Sequence, residues 1–140
     1  EEWEMRLPTE AQWERACRAG TDTQYSFGDD SEDLAAYAWY GKNTFEAGFE
    51  HPMEVGQKKP NEWNLYDMHG NVWEWCRDHY AAEPPGGTDP EVKLDSNQRV
   101  LKSGDWASIP EFCRSRIRLP GSPEGHQLYN GLRPVIVRVK

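Results

Sequence analysis

Residues 61–77 read N-E-W-N-L-Y-D-M-H-G-N-V-W-E-W-C-R, and no other stretch limits the folds open to this chain so strongly. His69-Gly70-Asn71 is a turn, set between two carboxylates, Asp67 and Glu74. Beyond the turn the pattern alternates. Val72, Glu74 and Cys76 fall on one face of a strand, and Trp73, Trp75 and Arg77 fall on the other. The two tryptophans are expected to anchor a core. A hard cation takes oxygen ligands, and two carboxylates with free turn carbonyls supply them within one short loop. Asp67 and Glu74 with the carbonyls of Gly70 and Val72 therefore make a candidate calcium cage. In the alternative, the carboxylates pair with arginines and the tryptophans are only core.

The rest of the composition points to many turns and few long elements. Twelve glycines and ten prolines interrupt a chain of 140 residues, which is one domain's length. Only 36% of the residues are hydrophobic, so seven tryptophans, six tyrosines and four phenylalanines must bury much of the area. A loop-rich α+β domain fits this better than a bundle or a parallel sheet. The net charge of −8 repels phosphate backbones and argues against a nucleic-acid partner. No apolar run approaches a membrane span, and no signal peptide is visible. Cys17, Cys76 and Cys113 are odd in number, widely spaced and without a C-x-x-C pair. Reduced thiols are expected, with a cytoplasmic location by default.

Local signals place the elements. Thr9-Glu10-Ala11-Gln12 is a capping box, and it opens a short amphipathic helix near 10–19. Trp13, Ala16 and Cys17 share its apolar face, while Glu10, Glu14 and Arg18 are expected to face water. The acidic run 28–33 reads as a solvated loop, Leu34–Tyr40 as a core-covering stretch, and 41–62 as loop. Short strands are expected at 99–102 and at 113–118, the second with Arg114, Arg116 and Arg118 on one face. A closing strand is expected within 132–139, starting at or running along an edge because of Pro134. The turn position of His69 suggests a solvent-exposed ring.

Asp67-Met68-His69-Gly70-Asn71-Val72-Trp73-Glu74-Trp75 resembles the signature of the formylglycine-generating enzyme, or sulfatase-modifying factor, family. Three more segments agree in order: Arg6-Leu7-Pro8-Thr9-Glu10-Ala11-Gln12-Trp13-Glu14, Arg99-Val100 with Gly104 and Trp106, and Cys113-Arg114-Ser115 leading to Gly131-Leu132-Arg133. The resemblance implies a variant of the C-type lectin fold, loop-rich, with a small twisted antiparallel sheet and one or two short helices. It also implies that residues 1–140 are a single domain truncated on its N-terminal side, with an upstream half or signal missing.

The resembling enzymes oxidise a peptide cysteine to formylglycine, holding copper(I) between two cysteines. The second of these corresponds to Cys113, and the first corresponds to Ser108, five residues earlier. A serine hydroxyl is a hard, protonated oxygen and a poor copper(I) ligand. The resemblance therefore implies a non-oxidase that uses its C-terminal segment as a binding surface, as in the variable proteins of diversity-generating retroelements. Asp105, Ser108, Phe112, Arg114, Arg116, His126 and Tyr129 are the candidate ligand-binding residues. The expected partner is a peptide, protein or small ligand on the 102–130 surface. Two alternatives remain: an oxidase in which Cys113 is catalytic and copper the cofactor, or a scaffold fragment of a larger family enzyme.

Overall fold

A computed structural model of the chain describes residues 1–125 and 127–139. The helix at the capping box forms as expected. Thr9 Oγ1 accepts from the Gln12 amide at 3.1 Å, and Gln12 Oε1 accepts from the Thr9 amide at 3.1 Å. This fixes the start of α1 (Glu10–Arg18), which ends where Ala19 turns left-handed at φ 50°. Trp13 and Cys17 on its inner face join Met68, Cys76 and Val100 in one core cluster.

The polar face of α1 differs from expectation. Glu10 is buried, and Arg118 clamps it through Nε at 2.6 Å and Nη2 at 2.8 Å. Glu14 accepts from Arg18 at 2.9 Å and from the fully buried ammonium of Lys102 at 3.0 Å. Helical periodicity separates apolar from polar positions, but it carries no information on partners 88 and 108 residues away.

Six strands make two small sheets. β1 (Trp3–Arg6) pairs antiparallel with β6 (Val135–Arg138), which begins just after Pro134. The larger sheet contains β2 (Trp73–His79), β3 (Arg99–Lys102), β4 (Leu119–Gly121) and β5 (Asn130–Gly131), ordered β4-β3-β2-β5. β3 pairs antiparallel with both β2 and β4, and the short β5 runs parallel to β2. Glu74, Cys76 and Asp78 of β2 are buried towards α1. Asp78 Oδ2 accepts the Glu10 amide at 2.7 Å, so the strand caps the helix start.

Several expectations are corrected. Residues 41–62 include a helix, α3 (Gly41–Glu46), which follows α2 (Leu34–Tyr37). The stretch 113–118 is not a strand. It closes a 3₁₀ turn (Pro110–Cys113) and continues in turns held by Ser115 N to Gln24 O at 2.9 Å and Ile117 N to Arg114 O at 3.1 Å. The alternation of its arginines therefore defines no face. Of the two tryptophans expected to anchor the core, Trp73 is buried and Trp75 only half-buried. All three cysteines are free and buried. Among the described residues no helix is long and apolar enough to cross a membrane.

Candidate functional site

The turn between Asp67 and Glu74 depends on residues that tolerate positive φ: Asp67 at 56°, Gly70 at 74° and Asn71 at 66°. Gly70 donates its amide to Ser103 O at 2.7 Å, and Asn71 donates to Trp39 O at 2.8 Å. The loop is thereby sewn to the start of the 103–130 segment and to the chain after α2. Asp67, Val72 and Glu74 line one cavity of about 450 Å³, together with Asn71 and Arg133.

Within that cavity the carboxylates differ. Glu74 Oε2 accepts from Trp13 Nε1 at 2.7 Å and from Arg133 Nε at 2.9 Å, and its Oε1 accepts from Arg133 Nη2 at 2.7 Å. Three of its roughly four lone-pair sites are thus used. Arg133 Nη2 also bonds Tyr66 O at 2.9 Å, so a guanidinium stands beside the loop carbonyls. The Gly70 carbonyl accepts from Val72 N and Ser103 Oγ, both at 3.0 Å. Asp67 is the exception. Its Oδ2 accepts from the Gly56 amide at 2.7 Å, and its Oδ1 is buried without a partner. An unsatisfied carboxylate oxygen suits a hard cation, whereas Glu74 and Gly70 have little capacity left for one.

At Ser108, which the resemblance sets against the first copper cysteine, the hydroxyl is closed onto Asp105. It donates to Asp105 Oδ1 at 2.8 Å and accepts from the Asp105 amide at 3.0 Å. Cys113 has no exposed surface and packs with Tyr25, Leu34, Ala38 and Tyr40. Burial, followed by the charges of Asp105 and Glu111, pushes its thiol far above the ordinary cysteine range. A thiol in that state is a poor nucleophile, and a metal binding it would have to displace its proton.

His69 is buried and not solvent-exposed. Its Nδ1 donates to Cys113 O at 2.7 Å, and its Nε2 accepts from Ser26 N at 3.1 Å. Loss of solvent lowers its pKa to about 4, although the Cys113 carbonyl opposes this. The folded value lies below the ordinary 6.5, so the neutral ring stabilises the fold above pH 6.5 and that contribution is lost as pH falls. Between pH 7 and 5 the loss should be about 2 kcal/mol. Urea midpoints across this range should fall in the natural chain and flatten in His69→Asn.

The 102–130 residues separate into surface and support. Phe112 and Tyr129 are exposed, as are Ile109 and Leu128. Tyr129 stacks on Trp106 at 5.4 Å, Phe45 meets Trp106 edge-on at 5.9 Å, and Phe112 meets Trp73 at 6.3 Å. Asp105 and Ser108 are buried and hold the loop rather than face outward. Arg116 is exposed, Arg114 is half-buried with an unpartnered Nε, and Arg118 belongs to the Glu10 clamp. His126 lies outside the described residues. A second cavity, of about 440 Å³, sets Ser108, Ile109 and Pro110 against Tyr40, Lys42, Phe45 and Glu46. The α3 wall was invisible in the sequence, since a six-residue helix with one exposed Phe leaves no periodic signal.

A mixed α+β domain of two small curled sheets, few short helices and long ordered loops is a C-type lectin-like architecture. Residues 2–138 match the sulfatase-modifying factor enzyme 1-like domain, and the chain belongs to that family. It is 31% identical to the formylglycine-generating enzyme of Thermomonospora curvata, covering 91% of this chain and 48% of that protein. It is 36% identical to the inactive C-alpha-formylglycine-generating enzyme 2 of Bos taurus, covering 85% and 40%. Among solved structures, the Treponema denticola variable protein 1 superposes with a TM-score of 0.85 at 38% identity, covering 96% of this chain and 48% of that one. The chain thus spans about half the length of these relatives.

Proposed function

We propose that this chain is a non-oxidase member of the family, a module that binds a peptide, protein or small ligand on its 102–130 surface. The observation that carries this reading is the state of the two copper positions. Ser108 stands at the first with its hydroxyl spent on Asp105, and Cys113 at the second is a buried neutral thiol. The exposed Phe112 and Tyr129, backed by buried Trp73 and Trp106, offer the rigid aromatic anchors that binding surfaces use, with the exposed aliphatic Ile109 in the same segment. Similarity to a variable protein and to a relative named inactive supports the same direction.

The test is copper(I)-supplied turnover of a cysteine-containing sulfatase-type peptide, read by mass spectrometry. The natural chain should give no formylglycine. Turnover by it would overturn the reading and make Cys113 catalytic. Gain of activity in Ser108→Cys would show that loss of one copper ligand separates this chain from its oxidase relatives.

Calcium is proposed as the stabilising ion, held through the unpartnered Asp67 Oδ1 with the Val72 carbonyl and the remaining capacity of Glu74. Calcium at 100 times its dissociation constant, bound only to the folded state, adds about 2.7 kcal/mol. The melting temperature should fall on chelation and recover with calcium, and Asp67→Asn should abolish the response. An unchanged melting temperature on chelation removes calcium from the proposal and leaves the loop held by Arg133 and its hydrogen bonds to Trp39, Ser103 and Gly56.

A further inference from the structure

The outer face of the larger sheet carries a cleft that shares no lining residue with the cavities at Asp67 or Ser108. It encloses about 450 Å³ between Leu7, Trp75, Arg77, Arg99 and Pro123, with Cys76 beneath. Its floor is the half-buried indole of Trp75. Antiparallel partners share a face, so Trp75, Leu101 and Leu119 align across β2, β3 and β4, and Arg99 aligns with Gly121. Gly121 is needed there, because a Cβ would come within 2.6 Å of both Trp75 Cη2 and Leu101 Cδ1. The indole is laid over bare backbone.

The rim is cationic. Arg77 is paired with Glu91 at 3.1 Å. Arg99 is held by Nη1 donating to Arg77 O at 2.6 Å, and no described carboxylate lies within ion-pair distance of it. A smaller cavity of about 190 Å³, lined by Ser96, Asn97 and Glu124, also opens on Arg99 and Pro123, so the guanidinium stands where the two spaces meet. In an acidic chain, a positioned guanidinium without an acid, next to an apolar aromatic floor, is complementary to an anion with an apolar body.

We infer that this cleft binds a small organic carboxylate whose aromatic or aliphatic body rests on Trp75 and whose carboxylate is held by Arg99. The cavity volume suits one small molecule.

The probe is phenylacetate, with phenylacetamide as its neutral isostere, titrated into the whole chain while the amide and indole N–H signals are followed by NMR. Trp75→Phe assigns the Trp75 indole signal. Phenylacetate should shift that signal saturably, and phenylacetamide should bind about tenfold more weakly or worse, since a hydrogen bond to a charged partner is lost. Arg99→Gln should bring the two probes to equal affinity, while Arg15→Gln, at an exposed arginine of α1 outside the cleft, should change neither. Equal affinity of the two probes for the natural chain overturns the proposal, as does a shift confined to other tryptophans. Should Arg99→Gln fail to fold, the acid–amide comparison on the natural chain decides alone. Oxidase turnover, or its absence, leaves this outcome untouched, so the two readings fail separately.

Discussion

Glu74→Ala should cost this protein about 3–5 kcal/mol, as breaking a buried ion pair from one side does. Glu74 is only 4% exposed and holds two groups at once, the Trp13 indole and the Arg133 guanidinium. Without it, Trp13 Nε1 loses its acceptor inside a residue that is 1% exposed, worth about 1–3 kcal/mol alone. The Arg133 fork, made by Nε at 2.9 Å and Nη2 at 2.7 Å, loses its counter-charge. Arg133 is the residue that ties the closing segment to the signature loop, because it also bonds Tyr66 O at 2.9 Å. Urea denaturation should show a lower midpoint with an unchanged slope. Glu74→Gln should fall between, since an amide oxygen can still accept from Trp13 but supplies no charge. A loss below about 1 kcal/mol for the alanine variant would mean that the pair behaves as a surface salt bridge.

Gly70→Ala should be comparably severe, about 3–5 kcal/mol, for a different reason. The backbone there has φ 74°, and an added Cβ would lie 2.2 Å from Trp39 O and 3.1 Å from Trp39 C. Left-handed strain in a non-glycine residue contributes about 1–3 kcal/mol, and forced overpacking about 1–3 more. The obstructing oxygen cannot step aside cheaply, because it accepts the Asn71 amide at 2.8 Å. Gly56→Ala isolates the first contribution. Gly56 has φ 80°, but nothing lies within 4 Å of its Cβ position. The two variants should therefore differ by the packing cost, read as separate shifts in urea midpoint. Equal shifts would show that the loop relaxes around the new methyl group.

The relation between these two residues explains the organisation of the molecule. Gly70 lets the chain approach Trp39 and Ser103 closely, and Glu74 then reaches Trp13 on α1 and Arg133 beside the closing strand. A scaffold held from four distant segments supports the exposed Phe112 and Tyr129, with Trp73 and Trp106 buried beneath them.

Much of the scaffold was legible residue by residue. The capping box at Thr9–Gln12 located α1, the alternation after Gly70 located β2, and the β-rich stretch 132–139 located β6, although the strand begins only at Val135, after Pro134. The correspondence of Ser108 to the first copper cysteine is what the family resemblance implies, and it needs no coordinates. These signals are local, carried by hydrogen bonds three or four residues apart or by side-chain period, so the chain itself specifies them. Other features were decided only on folding. β1 exists because β6, more than 120 residues later, pairs with it. Glu10 is buried and Glu14 half-buried because Arg118 and Lys102 arrive from distant segments. His69 sits in a turn by sequence but inside the protein by packing, because Ser26 and the Cys113 carbonyl close over it. Trp75 looked like core and became the floor of a cleft, since nothing in a period of two tells which face of a small sheet will be covered. Charge pairing, burial and cleft formation depend on which distant segment lands on which face, and that is a property of the tertiary structure.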